Sequence, residues 1–154
     1  MEEKKKSVLI VDDEFRIGML IKKLIHWSEL NMECMEVLDD GEKAVQMVHE
    51  KNPDIVITDI RMPRVSGLDL IRIISEENKT NTHFIVISGY KEFEYAHQAL
   101  AYGVENYILK PVNEEELNDS LKKFAQKINA QNDFELKKKE FQETIVKRNK
   151  IIRQ

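Results

Sequence analysis

Five residues with reactive side chains end short apolar runs in this chain. Asp12 and Asp13 follow Ser7-Val-Leu-Ile-Val11, Asp59 follows Ile55-Val-Ile-Thr58, Ser88 follows Phe84-Ile-Val-Ile87, and Lys110 follows Tyr107-Ile-Leu109. Carboxylates offer hard oxygen ligands, and three of them in one place repel one another unless a divalent cation, Mg2+ by preference, sits among them. A carboxylate nucleophile beside Mg2+ and an ammonium group suits transfer of a phosphoryl group onto the carboxylate. Metal and lysine together neutralise the charge spread over the equatorial oxygens. Any one of these aspartates by itself could merely end a strand or cap a helix, so the chemistry depends on whether the fold assembles them.

The apolar runs read as strands buried on both faces, being short, β-branched and bounded by Asp, Gly or Pro. A weaker strand candidate lies at Cys34–Leu38. Helical periodicity separates them: Phe15 to Ile25, Ala44 to Val48, Leu68 to Ile74 and, more briefly, Phe93 to Leu100. Strand and helix alternate five times, which predicts an α/β fold, a doubly wound, five-stranded parallel sheet with the flavodoxin-like order 2-1-3-4-5. In that topology ligands bind beyond the carboxyl ends of the strands, at the switch between strands 1 and 3, where Asp12, Asp13 and Asp59 would meet. Ser88 and Lys110 end the next two strands at the same edge. The Lys110-Pro111 bond could be cis, which would help to aim the lysine inward.

A fifth helix should begin at Asn113, an N-cap candidate followed by Glu114, Glu115 and Glu116 in the first turn. No Gly or Pro occurs from Val112 to Gln154, so this helix could run on for up to about 42 residues, roughly 63 Å. Leu117, Leu121, Phe124 and Ile128 form one apolar seam suited to the sheet. Phe134, Phe141, Ile145 and Ile152 form a second, phase-shifted seam beyond it, capable of pairing two chains or of leading to a further domain.

The 154 residues, 42% hydrophobic and 34% charged, fit one globular domain with solvated helix to spare. No membrane span or signal peptide is evident, and a cytoplasmic location is expected. Cys34 is the only cysteine, which excludes an intrachain disulfide and a Cys-rich zinc site. His26, His49, His83 and His97 lack metal-ligand spacing. Residues 137–154 carry +5 and the preceding residues −9, and an acidic body argues against nucleic-acid binding by that body.

Asp12-Asp13, Asp59-Ile-Arg-Met-Pro63 with Gly67, Ser88-Gly89 and Tyr107-Ile-Leu-Lys-Pro111 together resemble the receiver domain of two-component response regulators, over about residues 5–128. The resemblance implies a receiver over 1–128, followed by a helical linker or extension over 129–154. It implies that Asp59 is the phosphoacceptor, that Asp12, Asp13, Asp59 and the backbone carbonyl of Arg61 hold Mg2+, and that Lys110 contacts the phosphoryl group. Ser88 and Tyr107 match the switch pair. Phosphorylation would draw the Ser88 hydroxyl toward the phosphoryl oxygens and turn the Tyr107 ring inward, altering the face made by the fourth helix, fifth strand and fifth helix. The donor would be a sensor histidine kinase.

Ser88 to His97 and Ala101 to Pro111 further resemble receivers that precede an arabinose-regulator-type helix-turn-helix domain. DNA would then be reached only through an output domain outside this sequence. A homodimer could form through the switching face or the C-terminal helix. The protein so read is a phosphorylation switch controlling an output such as transcription. It is not an enzyme beyond catalysing its own phosphotransfer and dephosphorylation.

A Mg2+-dependent aspartyl phosphohydrolase is the competing enzyme reading, opposed by Arg61 standing where an acid/base Asp would be needed. A degenerate structural module is opposed by the complete residue set. Ser66, where many relatives carry Asp or Asn, should alter only the loop after Asp59. Gly89 fits the small residue that the resemblance implies for an accessible phosphoryl site, whereas Arg61 and Tyr90 are bulky positions able to hinder an in-line water. The Arg61→Ala, Tyr90→Ala double variant should therefore lose its phosphoryl group faster than the native chain, measured as the decay of phosphoprotein after the donor is removed; an unchanged rate would refute the steric role.

Overall fold

The computed structural model describes residues 4–77, 81–89, 104 and 106–152. The strands are β1 (Lys6–Val11), β2 (Met32–Leu38), β3 (Ile55–Asp59), β4 (His83–Ser88) and β5 (Asn106–Leu109). They form one sheet in the order β2-β1-β3-β4-β5, and every neighbouring pair is parallel. The helices are α1 (Phe15–Leu24), α2 (Trp27–Leu30), α3 (Gly41–Lys51), α4 (Gly67–Glu77) and α5 (Glu114–Ile152). The helical stretch expected at Phe93 to Leu100 lies outside the described residues.

The central strands β1 and β3 are apolar without alternation because both of their faces are covered. Leu9, Val11, Val56 and Val86 join Ala44 and Val48 of α3 and Leu70, Ile71 and Ile74 of α4 in one buried cluster. Val8, Ile10 and Ile57 must point to the opposite face, since strand side chains alternate. Gly18 of α1 approaches Ile10 and Val37 there. Leu117 and Leu121 at the start of α5 are completely buried. Asn118 beside them donates through Nδ2 to the Leu24 carbonyl at 2.9 Å and accepts the His26 N–H at 2.8 Å. Each fully buried aliphatic side chain contributes about 1.5–3 kcal/mol, which makes this two-sided core the main source of stability.

Sequence periodicity suggests a helix from Phe15 to Ile25, and α1 runs from Phe15 to Leu24 with Ile25 as its extended C-cap. The short α2 follows and ends at Asn31, in the left-handed conformation. Trp27 explains part of the break, because its indole N–H donates to the Lys22 carbonyl at 2.8 Å and satisfies a group that the helix end leaves free. Asn113 does cap α5: its Oδ1 accepts the Glu116 N–H at 2.9 Å. The chain divides into two compact units, residues 1–121 and 122–154. In the second, Phe124 and Ile128 are buried and residues 129–149 are all exposed, Phe134, Phe141 and Ile145 among them.

Glycine is required where α4 begins. A Cβ on Gly67 would stand 2.0 Å from the Asp59 carbonyl oxygen, and the Gly67 N–H donates to the Ile60 carbonyl at 2.7 Å. This close approach sets α4 directly against the end of β3. Gly67→Ala should consequently cost about 1–3 kcal/mol, read as a lowered urea midpoint; an unshifted midpoint would show that the loop yields freely.

Candidate functional site

Parallel strands of matched register deliver their carboxyl ends to one edge. Val11 pairs with Thr58 and Asp59 with Ile87, while Ser88 pairs with Leu109. The residues that follow are therefore neighbours, although they come from remote parts of the chain. Asp12, Asp13 and Asp59 each present a carboxylate oxygen within 4.8 Å of the others. Asp12 is fully buried and Asp59 nearly so, whereas Asp13 is exposed.

Lys110 ties the two buried carboxylates together. Its Nζ lies 3.2 Å from Asp12 Oδ2 and 3.0 Å from Asp59 Oδ2. The Lys110-Pro111 bond is cis, and the Lys110 N–H donates to the Ser88 carbonyl at 2.9 Å. The remaining carboxylate oxygens are held by backbone, Asp12 Oδ1 by the Glu14 N–H at 2.9 Å and Asp59 Oδ1 by the Ile60 N–H at 2.8 Å. Burial raises the Asp12 carboxyl to about 6 from an ordinary 3.8, against the Glu14 hydrogen bond and with a further push from the Asp59 charge; Lys110 offsets part of this. Burial acts to lower the Lys110 ammonium, but its bonds and attraction to Asp59 and then Asp12 raise it overall.

Two buried hydroxyls on β4 and β5, Ser88 Oγ and the Tyr107 hydroxyl, lack hydrogen-bond partners among the described residues. An unsatisfied buried hydroxyl costs about 1–3 kcal/mol, so such groups point to an acceptor that arrives later. The Tyr107 ring packs against the core cluster. At Gly89 no described atom lies within 4 Å of where a Cβ would stand. Arg61 lines a cavity of about 360 Å³ with Asp13, Ile60, Met62 and Pro63. Tyr90, and also Phe93, Tyr95 and Tyr102, lie outside the described residues.

Ser66 does more than shape its loop. Its Oγ accepts the Asp69 N–H at 3.0 Å while Asp69 Oδ2 accepts the Ser66 N–H at 3.1 Å, a reciprocal cap on α4. The Ser-x-x-Asp spacing could have disclosed this cap. The Arg64 guanidinium pairs with Asp40 at 2.7 Å, a contact that no local sequence pattern signals.

The receiver domain profile of response regulators matches residues 8–122, and the chain belongs to the response regulator receiver domain family. It is 38% identical over 125 residues to the transcriptional regulatory protein YesN of Bacillus subtilis (strain 168), covering 81% of this chain and 34% of that one. To the transcriptional regulatory protein HptR of Staphylococcus aureus (strain NCTC 8325 / PS 47) it is 35% identical over 111 residues, with 72% and 43% covered. The chain thus spans about a third to a half of the length of these relatives. The solved REC domain of AraT, a response regulator from Geobacillus stearothermophilus, superposes with a TM-score of 0.77 at 35% identity, covering 82% of this chain and 98% of that one. A two-component transcriptional regulator AraC from Clostridium phytofermentans ISDg gives 0.71 at 32% identity, with 79% and 94% covered. The protein is therefore a signalling domain of the two-component type. No helix among the described residues is long and apolar enough to cross a membrane.

The raised Asp12 carboxyl makes folding stability depend on pH. A carboxyl whose folded pKa lies above its unfolded value binds more protons when folded between about pH 4 and 6, so its contribution to stability falls as pH rises through that window. Without divalent cation, Asp12→Asn should be more stable than the native chain by about 1–3 kcal/mol at pH 8, with the gap narrowing at pH 4. Urea denaturation at the two pH values measures this, and a destabilised variant at pH 8 would contradict it.

Proposed function

We propose that this domain accepts a phosphoryl group on Asp59 from the phosphohistidine of a sensor kinase. The observation that carries the reading is Lys110 Nζ bridging Asp12 and Asp59 within a cluster of three carboxylates. The donor set fits Mg2+: every ligand is a hard oxygen, and three carboxylates against one ammonium leave a formal charge that a divalent cation balances. Asp12, Asp13, Asp59 and the Arg61 backbone carbonyl would hold the ion. When bound, it neutralises charge on the phosphoryl oxygens.

In the transfer an Asp59 carboxylate oxygen attacks phosphorus, the P–N bond to the donor imidazole breaks, and the imidazole leaves with the bonding electron pair. Lys110, held by Asp59 Oδ2, pairs with the incoming phosphoryl oxygens. The unpartnered Ser88 hydroxyl donates to one of them, and the Tyr107 ring follows that shift. The consequence is carried by β5, α5 and the segment before β5. Arg61, Gly89 and Tyr90 control access of the hydrolytic water.

Residues 1–128 act as the receiver and 129–154 as a linker or extension. The relatives carry names of transcriptional regulators, which supports control of transcription through an output domain that binds DNA, in the cytoplasm. A dimer through the switching face or the C-terminal helix would transmit the signal.

Incubation with a small acyl phosphate and Mg2+ should add one phosphoryl group to the intact mass. The Asp59→Asn variant should gain none, and chelation should abolish the addition while the thermal transition persists. Addition to Asp59→Asn, or none to the native chain, would overturn the reading.

A further inference from the structure

The loop between β3 and α4 contains a backbone conformation that neither element requires. Arg64 has a φ of 68°, in the left-handed region that side chains other than glycine enter at a cost. The Val65 N–H donates to the Pro63 carbonyl at 2.8 Å, so a three-residue turn closes around Arg64. With positive φ at its centre, this is the rarer and more strained hand of the γ-turn. Such a turn persists only where its surroundings hold it, and strain of this kind collects at functional sites.

The surroundings are the first turn of α3. Arg64 Nη2 lies 2.7 Å from Asp40 Oδ2, and Nη1 lies 3.8 Å from Glu42 Oε2. Asp40 Oδ1 meanwhile caps α3, accepting the N–H groups of Glu42 at 2.8 Å and Lys43 at 3.2 Å. One carboxylate therefore joins the helix start to the turn with a separate oxygen for each. The next residue makes a second contact: the Val65 carbonyl lies so near Gly41 that a Cβ there would stand 2.1 Å away. At its ends the loop is tied to the site, by Ile60 N–H to Asp59 Oδ1 and by Gly67 N–H to the Ile60 carbonyl.

We infer that Arg64 and Asp40 are a positioning pair for the cation site. By holding a strained turn three residues beyond Arg61 against α3, they set the path of the backbone that supplies the Arg61 carbonyl. This rests on the phosphotransfer reading above. Arg64 touches no reacting atom and acts only through the loop. An exposed ion pair adds little to global stability, so its effect is on local order and cation affinity rather than on the melting temperature.

Three variants separate the contributions. Arg64→Ala removes the clamp and keeps the cost of positive φ; Arg64→Gly removes the clamp and the cost together; Asp40→Asn keeps a competent cap but drops the charge. Arg64→Ala and Asp40→Asn should speed amide exchange at Arg61, Val65 and Gly67 in the absence of Mg2+. They should also raise the Mg2+ concentration for half-maximal phosphorylation by an acyl phosphate about two- to fivefold, leaving the rate at saturating Mg2+ near native. Arg64→Gly should recover most of both losses. An unchanged Mg2+ requirement in Arg64→Ala and Asp40→Asn, or an Arg64→Gly variant as impaired as Arg64→Ala, would overturn the inference. Accelerated exchange in the variants, with no Mg2+-dependent phosphorylation of the native chain, would instead overturn the phosphotransfer reading and this inference with it.

Discussion

Like charges confined at one edge of a parallel sheet are the constraint on which this structure turns. A parallel sheet sends every strand's carboxyl end the same way, and the order β2-β1-β3-β4-β5 makes neighbours of the strands that end in Asp12 and Asp59. The two-sided core that buries β1 and β3 also withdraws these carboxylates from water. Burial, with the Asp59 charge beside it, then disfavours the charged form of Asp12, whose carboxyl is raised. Lys110, from the far side of the sheet, is the compensating charge, and it reaches both with a single nitrogen.

Around that charged centre the chain leaves polar groups unmet and backbone strained. Ser88 Oγ and the Tyr107 hydroxyl are buried without partners among the described residues, and Arg64 occupies a left-handed conformation. Each costs on the order of 1–3 kcal/mol, a sum that only a well-packed core can offset. These costs lie on β4, β5 and the loop after β3, whereas polar groups at the opposite edge pair conventionally. There Asp54 Oδ2 accepts the Ser7 N–H at 2.8 Å, and Ser7 Oγ accepts the Asp54 N–H at 3.2 Å. Stability and chemistry are thus divided between the two edges of one sheet.

The C-terminal unit follows a different physical logic. Beyond Ile128 the helix is exposed through residue 149. Its charged and polar majority keeps it solvated, while Phe134, Phe141 and Ile145 remain uncovered. A helix of that composition draws its order from the uninterrupted run of helix formers and from the Asn113 cap at its start rather than from a core of its own.

Much of this molecule was legible in one dimension. Apolar runs broken by Asp, Gly and Pro located the strands, and their alternation with helical periods implied a parallel sheet and favoured its order. Strand-end positions alone placed Asp12, Asp13, Asp59, Ser88 and Lys110 at a common edge, because side-chain period and chain punctuation are local properties. What sequence could not decide is which atoms meet. Lys110 bridges Asp12 and Asp59 across separations of 98 and 51 residues, Asp40 shares its two oxygens between a helix end and Arg64, and Gly67 lets α4 press on the Asp59 carbonyl. Trp27 opens a separate short helix that periodicity does not mark. These contacts depend on ångström-scale placement of elements packed against one another, and only the folded core sets that placement.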